Sequence, residues 1–419
     1  MKAAPQIFLI LYLTSASVRA QPESGRFEET AARSYLERII YTPNEVERWL
    51  AGVAFPFSGY DAELGWLVLP MRRRDGMQGS ICTYTYDGPL GARRMINAAD
   101  LPCRINTFGD SFTQCDQVSD GETWQEQLAA HVGEPIRNYG VGGYSVYQAC
   151  LRMLRVEREM PSEVIILNIY EDDHYRNLDA WRNIRVSKHP LFIEPTLPHL
   201  KVDLATGGCI EMPNPCPTPE SVRNLANPEW VVQRFRDDFV LRIMLAHENA
   251  RLGRVDGTSR VIMDQATTIG INTRVDEGAA IATAADALHT RAALLSTMHI
   301  VHKVEEHARQ ESKKVLYVLS YRARSVARFL QDGARFDNEF VDFLRREGLD
   351  YVDLLEEHAR DYARHSLAPD DYASLYYIGH YNPAGNAFTA RAIRGRLVDL
   401  LDPPPPAYRV AAEDYWRRP

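Results

Sequence analysis

The chain has 419 residues, 45% of them hydrophobic and 25% charged, with a formal net charge of −8. That length holds a sizeable core with room for two or three domains, and the composition is that of an ordinary soluble globular protein. The acidic balance excludes a general nucleic-acid binder, because neutralising phosphates takes a basic surface.

Lys2, the apolar run 7–13 and the small-residue ending Val18-Arg19-Ala20 predict a signal peptide over 1–20, and with it a secreted or periplasmic location. The apolar run is too short to cross a bilayer, and no later stretch is long and apolar enough for a membrane span. Six cysteines suit an oxidising compartment. Cys209 and Cys216 bracket a turn-rich loop that a disulfide would pin, while the pairing of Cys82, Cys103, Cys115 and Cys150 stays open. Nothing around Cys115 points to a lowered pKa, so it reads as a structural thiol or disulfide partner.

Residues 21–103 mix helical and extended patterns and read as a lead-in that packs on the main domain. From Arg104 the pattern changes to short apolar runs, at 105–108, 136–141, 164–170, 315–321 and 351–355, separated by amphipathic stretches. Such runs predict a parallel sheet covered on both faces. A helix begins near Glu122. Another carries Leu288, Ala292, Leu295, Met298, Val301 and Val304 on one face, and a last one spans 384–400 with Phe388, Ala392, Ile393 and Leu397 inward. Between about 178 and 278 the rhythm breaks, with a Pro-rich stretch at 189–198, the Cys209–Cys216 loop and a helix at 229–252. This segment reads as an insertion at the top of the sheet, where loops and ligands gather. Residues 401–419 read as a tail.

Three local patterns carry chemistry. Ser111, in Phe108-Gly109-Asp110-Ser111-Phe112-Thr113, follows the first of these strands at a Gly-containing turn, which puts its hydroxyl at the carboxyl edge of the sheet. Gly143, in Asn138-Tyr139-Gly140-Val141-Gly142-Gly143-Tyr144, follows the second, where glycines let backbone N–H groups approach a ligand. The competing dinucleotide fingerprint fails, because its sixth position is Ser145 and no acidic residue follows at the required span. His380, in Gly379-His380-Tyr381-Asn382-Pro383-Ala384-Gly385-Asn386, leads into the last helix, placed to serve as base for a serine on another loop.

In this order and context the three patterns resemble the SGNH, or GDSL-like, hydrolase family, over Arg104 to Tyr175 and about Lys313 to Leu400. The resemblance implies a three-layer α/β/α sandwich with a central five-stranded parallel sheet, of flavodoxin-like type, and ester hydrolysis with no cofactor and no metal. It makes Ser111 the nucleophile, His380 the base, and the Ser111 and Gly143 N–H groups part of the oxyanion hole. Two positions depart from the family's pattern. Asp172 stands where an Asn donor to the oxyanion is expected, and an ionised carboxylate cannot donate. Tyr377 stands where an Asp would orient the histidine. Asp370 and Asp371, further upstream, are candidates to loop back, and a backbone carbonyl is the other option.

Other chemistries find no support. There is no Gly-x-Ser-x-Gly elbow and no His-Glu-x-x-His pair. Glu171, Asp172, Asp173 and His174 are consecutive, and consecutive loop residues rarely converge on one metal ion. His299, His302 and His307 read as packing or surface residues of the long helix. The expected function is therefore an exported carboxylic ester hydrolase working through an acyl-enzyme, with a small-molecule or carbohydrate ester as substrate and removal of O-acetyl groups from carbohydrate as the favoured case. The alternatives are a polysaccharide O-acyltransferase using the same nucleophile, and a non-catalytic carbohydrate-binding protein on a degenerate hydrolase scaffold.

Overall fold

The computed structural model describes residues 29–53, 57–186, 188, 194–271 and 277–409. The expected signal peptide, part of the Pro-rich stretch and the tail beyond 409 lie outside the described residues.

The fold is α/β, built on a seven-stranded mixed sheet. Its strands are β1 (Tyr86–Asp87), β2 (Ala92–Arg93), β3 (Ile105–Phe108), β4 (Arg137–Asn138), β5 (Val164–Tyr170), β6 (Lys314–Ser320) and β7 (Tyr351–Asp353), in spatial order β7-β6-β5-β3-β4-β2-β1. From β7 to β4 every pairing is parallel, with Phe108 opposite Leu167 and Tyr170 opposite Ser320. β2 and β1 then add antiparallel at the β4 edge. The sheet is thus wider and more mixed than its parallel runs alone predict, because part of the lead-in joins it.

The apolar runs become strands because the sheet is buried on both faces. Val164 to Ile169 of β5 are buried without interruption, which an alternating strand with a solvent face does not show. Helix α2 (Trp124–Val132) packs against α5 (Pro383–Leu400), and α3 (Val146–Glu159) against α4 (Glu277–Gln310). The expected strand at 136–141 stops at Asn138, whose side chain accepts from the Gly140 N–H and donates to the Thr113 carbonyl, turning the chain beside the Ser111 helix. β7 is cut short likewise, since Asp353 caps the helix Leu354–Tyr362.

The helix expected at 229–252 is two, Pro228–Phe235 and Phe239–Leu252, because Asp238 caps the second through the Leu241 N–H. These helices build a second core with the N-terminal helices Glu29–Glu37 and Pro43–Leu50, in which Leu36, Val46 and Trp49 meet Trp181, Phe235 and Leu241. So the lead-in is divided: its helices cover the insertion, and its last strands extend the sheet. α4 joins the parts. Leu288 packs with Ile243 and Ile262, Ala292 with the N-terminal core, and Val301 and Val304 under the sheet. Among the described residues no helix is long and apolar enough to cross a membrane. All six cysteines carry unpaired thiols in the structure. Burial pushes the Cys115 thiol up to about 12, in keeping with an inert packing group.

Candidate active site

The carboxyl ends of β3, β4 and β5 bring the predicted residues to one edge of the sheet. Ser111 opens a one-turn helix, α1 (Ser111–Gln114), whose cap Asp110 accepts from the Phe112 N–H at 2.8 Å. His380 arrives from the loop before α5, and its Nε2 lies 2.8 Å from Ser111 Oγ. The imidazole leans on Phe112, with ring centroids 5.0 Å apart, and Phe112 is stacked in turn on Tyr170.

The group that orients His380 is Gln117. Its Oε1 accepts from the His380 backbone N–H at 2.7 Å and from Nδ1 at 3.3 Å, while its Nε2 donates to the Asp75 carbonyl at 3.2 Å. The Asp75 carbonyl only accepts and the His380 amide only donates, so the Gln117 amide has one consistent orientation. It follows that Nδ1 carries the proton and Nε2 presents its lone pair to the Ser111 hydroxyl, the arrangement a general base needs. Gly379 makes room for this: a Cβ there would lie 2.7 Å from Gln117 Oε1, and its φ of +124° suits glycine alone.

Asp370 and Asp371 do not take this role. Both are exposed on the short helix Pro369–Ser374 and make no bond to His380, whose Nδ1 is already engaged. Tyr377 faces the interior instead, with its hydroxyl 3.2 Å from His358 Nε2.

Gln117 reaches the histidine through unusual backbone. Cys115 and Gln117 both have left-handed φ values, 63° and 72°, at a cost of roughly 1–2 kcal/mol per residue. Lead-in residues hold the loop in place. Tyr84 Oη accepts from the Gln117 N–H at 2.7 Å. Arg93, 2% exposed, donates to Asp120 and to the carbonyls of Gln114, Cys115, Val118 and Thr83. Strain held by a network of this kind is characteristic of functional sites.

On the oxyanion side, the N–H groups of Ser111 and Gly143 have no acceptor among the described residues, whereas the Gly142 N–H is taken by Gln114 Oε1. Gly143 needs to be glycine: its φ is +83°, and a Cβ would lie 2.9 Å from Arg182 Nη1. Asp172 is not a donor here. Arg185 Nη1 binds its Oδ1 at 2.9 Å and Arg176 Nε binds its Oδ2 at 2.9 Å. Burial alone would raise this carboxyl, but the two guanidiniums outweigh burial and hold it well below the usual range, so it stays an ionised acceptor.

Arg176 itself spans the site. Its Nη1 donates to Asp173 Oδ1 at 2.6 Å, Asp110 Oδ2 at 3.1 Å and the Tyr144 carbonyl at 3.1 Å. Asp110 Oδ2 also accepts from Ser111 Oγ at 3.3 Å, so a fixed cation stands one carboxylate away from the Ser111 hydroxyl. Glu171 pairs with Arg322, Asp172 and Asp173 share Arg176, and His174 Nδ1 meets Thr297 Oγ1 at 2.8 Å, so the four consecutive residues 171–174 are engaged by protein partners. On α4, His299 meets Glu211 and His302 packs edge-on to Phe343. A cleft of about 1280 Å³ in the insertion, lined among others by His199, Arg234 and Asp238, includes neither Ser111 nor His380.

Gln117, Arg93 and Arg176 carry no signal in the sequence. The family's pattern leads one to expect an orienting carboxylate upstream of His380, and a glutamine six residues after the serine matches no such pattern. No protein-family model matches the chain, and neither does any curated protein.

Proposed function

We propose that this chain is a serine hydrolase of the SGNH, or GDSL-like, kind, exported by its N-terminal segment and acting on carboxylic esters of small acyl groups. The observation that carries the reading is the 2.8 Å approach of His380 Nε2 to Ser111 Oγ, with Gln117 fixing the tautomer. In this reading the five parallel strands from β7 to β4 are the central sheet of the family's flavodoxin-like α/β/α sandwich, and β1 and β2 are additions to it.

The chemistry runs in two halves. Ser111 Oγ attacks the ester carbonyl carbon as its proton passes to His380 Nε2, and the carbonyl oxygen becomes an oxyanion facing the Ser111 and Gly143 N–H groups. The C–O bond to the alcohol breaks, the alcohol leaves with the proton from Nε2, and an acyl-serine remains. Water then gives a proton to Nε2 while its oxygen attacks the acyl carbon, and the acid departs as Ser111 Oγ regains the proton. Arg176, bound to Asp110, Asp172 and Asp173, offsets the negative charge that Asp172 brings in place of an Asn.

A fluorophosphonate probe tests the reading. The folded chain is expected to be labelled at Ser111, with labelling lost in Ser111→Ala and strongly slowed in His380→Ala. A folded wild type that does not label overturns it. Acetyl release that depends on an added glycan acceptor, in place of water, would assign the transferase branch of the same chemistry.

A further inference from the structure

One carboxyl beside the nucleophile lacks a partner. Asp116 lies between α1 and Gln117, and its N–H donates to the Ser111 carbonyl at 3.1 Å. Its Oδ1 is buried and no described residue donates to it. Its Oδ2 is 3.7 Å from the point a Cβ would occupy on Gly142, and Ser111 Cβ is 3.6 Å from that same point. The carboxyl therefore borders the gap between the nucleophile and the 142–143 turn.

The nearby cations are engaged elsewhere. Arg93 is tied to Asp120 and to backbone carbonyls, and Arg73 Nε faces Asp75 at 3.4 Å. Asp116 directly precedes Gln117, whose side chain holds His380; burial pushes the Asp116 carboxyl up, and His380 is the foremost charge acting against that rise. The leaving alcohol must sit by His380, because Nε2 returns the proton to it. Oδ1 is sealed from solvent, so Oδ2 is the oxygen that faces the gap; no described residue donates to it either, and a carboxylate oxygen can be satisfied only by an O–H or N–H. A simple alkyl or aryl ester offers none near the ester oxygen. A partly acylated polyol or sugar offers a hydroxyl on the neighbouring carbon.

We propose that Asp116 is a specificity-determining residue that accepts a hydrogen bond from a hydroxyl next to the acylated oxygen, so that the substrates are partly acylated polyols or sugars. The proposal rests on Ser111 being the nucleophile.

The test is a cycle of two substrates and three proteins. A pentose carrying one acetyl group and a free neighbouring hydroxyl is compared with the same compound lacking that hydroxyl, using wild type, Asp116→Ala and the isosteric Asp116→Asn. Wild type is expected to prefer the hydroxylated ester by about tenfold or more in kcat/KM. The preference should disappear in Asp116→Ala and be partly kept in Asp116→Asn, whose carbonyl still accepts. A preference that survives intact in Asp116→Ala, or is missing in wild type, overturns the proposal. Fluorophosphonate labelling of the same samples separates the two failures. A labelled Ser111 without the discrimination sinks only the role of Asp116, whereas an unlabelled wild type sinks the hydrolase reading beneath it.

Discussion

Gln117→Ala removes the acceptor that fixes His380, and the structure bounds the effect. The Nδ1 contact is a neutral hydrogen bond at the long distance of 3.3 Å. Such a bond contributes about 0.5–1.5 kcal/mol net. At about 1.36 kcal/mol per decade, that is roughly a two- to tenfold fall in kcat. It is far below the roughly 10⁴-fold loss seen where a carboxylate is replaced and the wrong tautomer results. Gln117→Glu should act the other way. A charged acceptor binds the imidazole roughly twice as strongly and favours its protonated form. Because the neutral imidazole is the working base, a raised pKa moves the acidic limb of the kcat/KM profile to higher pH, with the gain in kcat visible only above that limb. The new carboxylate also loses the bond to the Asp75 carbonyl made at 3.2 Å, so Gln117→Glu should melt lower than wild type. Hydrolysis of p-nitrophenyl acetate from pH 5 to 9, with fluorophosphonate labelling as a check on folding, reads both variants. If kcat and the acidic limb stay put in both, Gln117 does not orient His380.

Gly143→Ala forces a left-handed backbone on a residue with a side chain and drives its Cβ to 2.9 Å from Arg182; kcat should fall by about 10²–10³ as the oxyanion donor shifts, and a fall only in stability would remove Gly143 from the oxyanion hole. Arg93→Met deletes a buried ion pair with Asp120 and the anchors of the Gln117 loop, so urea denaturation should show a loss of about 3–5 kcal/mol; an unchanged midpoint would mean that the loop holds itself. Asp172→Asn breaks charged bonds to Arg176 and Arg185 and should cost about 1.5–3 kcal/mol at neutral pH without abolishing turnover. The Asp172 carboxyl is depressed in the fold, so its stabilisation is present above the unfolded pKa of about 3.9 and is lost as pH falls towards the folded value. The gap between wild type and Asp172→Asn in urea should therefore be full at pH 7 and shrink below about pH 4; a gap that stays constant with pH would refute the ionic account.

What the sequence determined by itself is what local chemistry encodes. Continuous apolar runs at 105–108, 164–170 and 315–321 can be satisfied only by strands buried on both faces, and they became β3, β5 and β6. Ser111, Gly143 and His380 each sit in a turn set by the glycines and caps around them, so their placement at one sheet edge followed from neighbours within a few residues. Tertiary structure decided the rest. The partner of His380 lies 263 residues away in Gln117, carried there by two left-handed residues and held by Tyr84, Asp75 and Arg93 from an earlier hairpin and strand. The charge of Asp172 is settled by Arg176, four residues on, together with Arg185, which reaches it from the start of the insertion. The N-terminal helices cover the insertion by burying Leu36, Val46 and Trp49 with Trp181, Phe235 and Leu241, and the exposed pairs Arg33–Glu229 and Arg38–Glu248 lie at the rim of that contact. Burial of a strand or a turn's backbone angles leave a short-range periodicity or a glycine to read. A hydrogen bond or ion pair between distant segments leaves neither, and only the folded chain brings its two ends together.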